Sequence, residues 1–220
     1  MGEILMKLFL TSYAAHSLDK VVPLLGASPE MLKVAFIPTA SDIYHYRPWI
    51  DSDRQKLVSL GFKVFDVGLQ SDLDQAGFPV GDRVKKESEL RSELLEADIL
   101  FVGGGNTFYL LEQAQKSGFL KIAKEMVNSG TIYIGSSAGS VLAGPDIEAV
   151  EFFDNKSEAG YLNSTRGLGF VDFVVLPHFV PGVKDPIFDQ TIEIYKNRNK
   201  LVTLTNSQVI EVEDSVIKTL

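Results

Sequence analysis

Thr131-Ile132-Tyr133-Ile134-Gly135-Ser136-Ser137-Ala138-Gly139-Ser140-Val141-Leu142-Ala143 begins as a β-prone run and passes through two glycines bracketing two serines. It then continues into small and apolar residues. The change of texture marks a strand that ends in a sharp turn, with a helix starting directly from it. G-x-S-x-G in that setting is the pattern of a nucleophile elbow. The glycines permit the turn, and the turn holds a serine hydroxyl clear of the backbone at a helix N-terminus. Ser137 is the candidate nucleophile. A tight strand–helix turn with no chemistry is the alternative reading, so the surrounding sequence has to decide.

Outward from the elbow, short apolar runs alternate with longer amphipathic ones. Lys7–Thr11, Val34–Pro38, Lys63–Val67, Ile99–Val102 and Ile132–Ile134 read as strands. Most are nearly continuous in apolar character, as parallel strands covered on both faces are. Between them, Leu18–Leu25, Pro48–Leu60, Glu87–Glu96, Thr107–Lys116 and Leu120–Ser129 read as helices, the last two separated at Gly118. This order predicts an α/β fold: a doubly wound, mostly parallel sheet with helices on both faces. After Gly144-Pro145 a loop-rich region runs to about Gly169, followed by a strand at Phe173–Leu176, a helix at Pro186–Asn197 and strands at Leu201–Leu204 and Val209–Val212. No low-complexity linker or internal repeat interrupts the chain, so residues 1–220 read as one domain.

Composition narrows the function. A net charge of −8 over 220 residues argues against nucleic acid, since phosphate binding needs a basic face. Cysteine is absent, which removes disulfides, thiolate metal sites and a cysteine nucleophile. No apolar run approaches the ~20 residues of a membrane span, and Met1–Leu10 lacks the long apolar core and cleavage site of a signal peptide. The expectation is a cytoplasmic protein that does not engage membranes. Metal chemistry is not expected either. The three histidines are far apart, no H-E-x-x-H occurs, and Asp51-Ser52-Asp53 and Asp72-Leu73-Asp74 lack the rest of a calcium loop.

Two further segments bear on Ser137. Val102-Gly103-Gly104-Gly105-Asn106-Thr107 lies between a strand and a helix. Its backbone N–H groups can approach a ligand above the sheet and hold an oxyanion. A phosphate cradle is the rival function, although the P-loop lysine and the G-x-G-x-x-G spacing are missing. A plain capped turn is the third possibility. Leu176-Pro177-His178-Phe179 places a histidine at a strand's carboxyl end, the edge at which open α/β sheets build their sites. A neutral imidazole there can take the serine proton and return it to a leaving amine. His16 and His45 read as surface or capping residues. The group that orients His178 stays open among Glu148, Glu151, Asp154, Asp185, Glu211 and Glu213.

Together, Phe101-Val102-Gly103-Gly104-Gly105-Asn106-Thr107-Phe108, Tyr133-Ile134-Gly135-Ser136-Ser137-Ala138-Gly139 and Pro177-His178-Phe179 resemble, in the same order, the peptidase E (aspartyl dipeptidase) family of serine peptidases, which includes cyanophycinase. The resemblance covers most of the chain. It implies a fold akin to class I glutamine amidotransferases, with Ser137 as nucleophile and His178 as general base. It also implies an oxyanion site built from Gly104, Gly105 and Ala138, short peptides as substrates, and no cofactor. Aligning Val209-Ile210-Glu211-Val212 with the family's closing strand puts Asn206 where the third triad member, an acid, is expected.

The family's preference for N-terminal Asp requires positive charge in the specificity pocket. Here the segment after His178 offers Lys184 and no Arg before Arg198, and the loop Asp146–Glu151 is acidic. A different N-terminal preference is therefore expected, with Glu148 or Glu151 placed to bind the substrate α-ammonium. Two other functions share these motifs: an esterase or amidase on the same elbow, with Glu151 or Asp154 as its acid, and a binding or regulatory homologue weakened by Asn206. The β-prone end Val209–Leu220 suggests a strand free to pair with a second copy, hence a homo-oligomer.

Overall fold

A computed structural model describes residues 6–71 and 83–220; the Asp72-Leu73-Asp74 pair lies outside them. The apolar runs become strands in the expected places. Lys7–Thr11 (β1), Lys33–Ile37 (β2), Lys63–Asp66 (β3), Ile99–Val102 (β4) and Ile132–Ser136 (β5) are mutually parallel. Phe173–Leu176 (β6) and Lys200–Thr203 (β7) pair with each other in a separate two-stranded parallel sheet. Val209–Glu213 (β8) runs antiparallel to β1, and Val216–Thr219 (β9) runs antiparallel to β8. The main sheet has the order β3-β2-β4-β5-β1-β8-β9.

The helices are Leu18–Val21 (α1), Pro48–Ser59 (α2), Glu87–Leu94 (α3), Thr107–Lys116 (α4), Phe119–Asn128 (α5), Ala138–Leu142 (α6) and Pro186–Tyr195 (α7). Their ends follow local chemistry. Asn106 caps α4 by accepting the Tyr109 N–H at 2.9 Å, and Gly118 separates α4 from α5 by adopting φ 75°. Asp185 caps α7 ahead of Pro186 in its first turn. The predicted Leu18–Leu25 helix is shorter than expected. Pro23 lacks an N–H, and the chain tightens into a 3-10 turn at Val22–Leu24.

Side chains alternate along each strand, so the sheet has two apolar faces. Phe9, Phe36, Phe101 and Ile134 pack on one face beneath Leu18, Val21, Ile50 and Leu57 of α1 and α2. Leu10, Leu100, Val102 and Tyr133 pack on the other face with α3 to α6, β6, β7 and α7. Helices on both sides of a mostly parallel sheet make this the doubly wound α/β architecture that the sequence predicts. The β-prone end Val209–Leu220 folds as two strands. Both edges of β8 are taken within this chain, by β1 and β9, leaving the outer edge of the exposed β9 unpaired among the described residues. No helix among the described residues is long and apolar enough to cross a membrane.

Candidate active site

Every site segment leaves the carboxyl end of a parallel strand. β5 leads into Ser137, whose backbone sits at φ 49°, ψ −109°, a strained setting for a residue with a side chain. Hydrogen bonds hold it there: its N–H donates to the Thr11 carbonyl at 2.9 Å, and its own carbonyl accepts the Ser140 N–H at 2.8 Å. Helix α6 presses so closely on the sheet that a Cβ at Gly139 would overlap the Val102 carbonyl oxygen. The second glycine of the motif is therefore demanded by packing as well as by the turn.

The small sheet delivers the other two groups. β6 and β7 are parallel and in register, Leu176 opposite Thr203, so His178 and Asn206 emerge side by side. His178 adopts φ 65°. Its Nε2 lies 2.9 Å from Ser137 Oγ, and its Nδ1 lies 2.8 Å from Asn206 Oδ1. The structure thus brings Ser137, His178 and Asn206 into one relay. Ser12, just past β1, joins them: its hydroxyl is 2.9 Å from Asn206 Oδ1 and 2.6 Å from the His178 backbone nitrogen.

Five of the six candidate acids have other partners for their side chains. Glu151 accepts the Tyr195 hydroxyl and pairs with Lys156. Glu213 pairs with Lys7 at 3.2 Å, and the buried Glu211 faces Lys218 at 3.9 Å. Asp185 caps α7, and Glu148 opens a 3-10 turn at Glu148–Val150. Asp154 accepts the Thr107 N–H at 2.9 Å together with the Thr107 hydroxyl. None of these six forms a hydrogen bond with His178, which places an amide at the position where an acid was sought.

The glycine loop faces the same space. Ser41 Oγ accepts the Trp49 indole N–H at 2.8 Å and donates to the Gly104 carbonyl at 2.7 Å. The peptide is planar and trans, so fixing that carbonyl turns the Gly105 N–H the opposite way. Neither the Gly105 nor the Ala138 N–H has a hydrogen-bond partner among the described residues. Gly105 takes φ 141°, and a Cβ there would overlap the Ala40 carbonyl, so no other residue fits. Gly104 lies against Ser137; a Cβ added to it would come within 3.2 Å of Ser137 Cβ.

These groups open onto a cavity of about 560 Å³, walled by Tyr13, Tyr44, Trp49 and Phe153. That volume falls in the ~300–1,000 Å³ range of small-ligand sites. The carboxyl and imidazole side chains in its lining are those of Asp53, Asp154 and His178, with no Lys or Arg among the described residues. Glu148, Glu151 and Lys184 lie outside it. His16 is exposed against the Tyr13 ring, and His45 is exposed as well. Asp53, read from sequence as one half of an incomplete calcium pair, is buried below the elbow and accepts the Ala15 N–H at 2.7 Å. Burial pushes its carboxyl up to about 7, opposed by hydrogen bonds from Ser136 and Ala15. Burial also raises the Asp154 carboxyl, opposed by Thr107 and by the charge of His178. No group of three or more potential metal ligands occurs among the described residues.

Sequence reasoning missed Ser12, Ser41 and Asp53. The available signal was position: Ser12 and Ser41 follow the carboxyl ends of β1 and β2, the edge at which such sheets bind ligands.

The chain is similar to several known peptidases. An uncharacterized peptidase of Listeria monocytogenes is 32% identical over 92% of this chain and 92% of its own length. A peptidase E of a Nostoc species is 27% identical over 94% of this chain and 78% of its own. A crystal structure of a Listeria monocytogenes protein provisionally assigned to peptidase E superposes with a TM-score of 0.85 at 26% identity, covering 98% of each chain. A peptidase from an actinobacterium, 16% identical with a TM-score of 0.68, shares the fold. The model of peptidase family S51 matches residues 8–220, so the chain belongs to that family of serine peptidases.

Proposed function

We propose that the protein hydrolyses dipeptides or other short peptides by a serine mechanism in which Ser137 is the nucleophile. The observation that supports this best is the continuous relay from Ser137 Oγ through His178 to Asn206, at 2.9 and 2.8 Å. Ser137 Oγ attacks the scissile carbonyl carbon while His178 Nε2 takes its proton. The carbonyl oxygen becomes an oxyanion held by the N–H groups of Gly105 and Ala138, with Gly104 packed beneath the nucleophile. Collapse breaks the C–N bond, and the imidazolium returns its proton to the departing amine. Water then attacks the acyl-enzyme, with His178 again as base, and frees Ser137. Asn206 takes no proton; its carbonyl oxygen holds Nδ1–H and leaves the Nε2 lone pair toward Ser137.

The cavity size favours short peptides over folded chains. Its charges favour a preference other than N-terminal Asp, because an acidic side chain would meet Asp154 with no Lys or Arg among the described residues of the lining. Asp154 replaces Glu148 and Glu151 as the group placed to meet a substrate ammonium. A broad dipeptide panel tests the reading, with Ser137→Ala as control. Cleavage by the wild type and not by the variant is expected. No turnover across the panel, together with no labelling of Ser137 by a fluorophosphonate, would refute it.

A further inference from the structure

A triad that ends in an amide has a difficulty that one ending in a carboxylate does not. The two ends of an amide are different. An Asn that turns its NH₂ toward an imidazole donates to Nδ1, forces the proton onto Nε2 and removes the base. Replacing the acid of a serine triad by an amide is damaging largely through that wrong tautomer. Asn206 is exposed, so packing alone does not dictate which way it faces.

Ser12 supplies the missing constraint. Its side chain is buried, and its oxygen accepts the His178 backbone N–H at 2.6 Å. It has one proton to give. His178 Nδ1 is 3.3 Å away, long for a hydroxyl donor, whereas Asn206 Oδ1 is 2.9 Å away. The hydroxyl therefore donates to Asn206 Oδ1, the same oxygen that lies 2.8 Å from Nδ1. The bonds form a closed ring running from the His178 N–H to Ser12, from Ser12 to Asn206, and back from the Nδ1–H of the same histidine to Asn206. Each hydrogen in the ring has one place to go.

We propose that Ser12 is a positioning residue. Its hydroxyl orients the Asn206 amide with the carbonyl oxygen toward His178, and so selects the imidazole tautomer whose Nε2 lone pair faces Ser137. The inference rests on the serine-peptidase reading for its purpose, but it makes a claim about proton position that can be measured without substrate. The device is needed because residue 206 is an amide. A carboxylate presents two equivalent acceptors and has no wrong way round.

The test has two independent readouts on the full chain. Imidazole ¹⁵N shifts, with the three histidines assigned by substitution, report the tautomer of neutral His178. The rate of labelling by a fluorophosphonate reports activation of Ser137. The wild type is expected to hold the proton on Nδ1. Ser12→Ala is expected to mix the tautomers and slow labelling about threefold to tenfold, the effect of losing one neutral hydrogen bond. In an Asn206→Asp background, Ser12→Ala is expected to leave the proton on Nδ1 and to slow labelling clearly less than in the Asn206 background, the remaining loss coming from the unpaired His178 backbone N–H. A wild-type proton on Nε2, a tautomer insensitive to Ser12→Ala, or an equal loss in both backgrounds overturns the proposal. The wild-type measurement stands even where a variant folds poorly. A correct tautomer with no labelling of Ser137 would refute the peptidase mechanism and leave the role of Ser12 intact.

Discussion

Asn206→Asp is the most informative single substitution. It keeps the shape of the side chain and the oxygen 2.8 Å from His178 Nδ1, and it keeps an acceptor for the Ser12 hydroxyl. It adds a negative charge about 4 Å from the centre of the imidazolium that, in the proposed mechanism, forms when Ser137 gives up its proton. At that separation the attraction is about 1 kcal/mol in water and about 4 kcal/mol at an effective dielectric near 20. Residue 206 is exposed, so solvent holds the value below the upper figure. A gain of about 1–3 kcal/mol in the transition state corresponds to roughly 5- to 150-fold in rate.

The same charge stabilises the imidazolium in the resting enzyme. The acid limb of the pH–rate profile must then move to higher pH, by about 1–2 units for that energy. The two effects oppose each other near neutrality and separate at high pH. The assay is kcat/KM, or the fluorophosphonate labelling rate, from pH 5 to 10 for both proteins. The variant should have a higher alkaline plateau and a shifted acid limb, and it should lose its advantage at low pH. An unchanged plateau together with an unmoved limb would show that residue 206 is not electrostatically coupled to the base.

Three other outcomes follow from the site. His178→Ala should lower kcat by roughly 10³-fold or more with intact folding, whereas a purely structural histidine would change the melting temperature and spare turnover. Dipeptides with N-terminal Asp should be cleaved about tenfold or more slowly than neutral ones, and Asp154→Asn should narrow that gap; equal rates for both substrates in the wild type would contradict the charge argument. Asp53 is held protonated to about 7 by burial, so the folded state binds more protons than the unfolded state between about pH 4 and 7. Its contribution to stability is present below that window and is lost as pH rises through it. Melting temperatures across pH 4–8 should therefore fall more steeply for the wild type than for Asp53→Asn.

The parts of the fold that were legible in sequence are those buried on both sides. β1, β4, β6 and α4 begin and end where the residue pattern places them, because Ile99-Leu100-Phe101-Val102 and its counterparts are apolar whichever way each side chain points. The division of the β-prone Val209–Leu220 end into β8 and β9 was not legible, for the opposite reason. All of Val216–Thr219 is exposed, and its register comes from β8 rather than from a hydrophobic pattern of its own. The withdrawal of β6 and β7 into a second sheet was equally invisible, since a buried parallel strand reads the same in either sheet. At the site, Ser137, His178 and the glycine loop carry local signatures of turn chemistry. Ser12 and Asp53 have none. Ser12 matters because β1 lies beside β5 and near the end of β7, 194 residues away along the chain at Asn206. Asp53 resembles any solvated helix acid until α2 is packed over the elbow.

The amide at position 206 then carries a smaller penalty than its chemistry suggests. An acid behind a catalytic histidine does two separable things: it fixes the tautomer, and it neutralises the imidazolium. The ring through Ser12 supplies the first without any charge. What is lost is the second, and at an exposed position the screening that limits the benefit of a carboxylate limits the cost of its absence to the same ~1–3 kcal/mol. In the proposed mechanism the remaining stabilisation falls to the Gly105 and Ala138 N–H groups, which would act on the oxyanion independently of residue 206. A site built this way keeps the geometry of attack and gives up a limited factor in rate. It also ties that rate to Ser12, a buried serine at the end of the first strand.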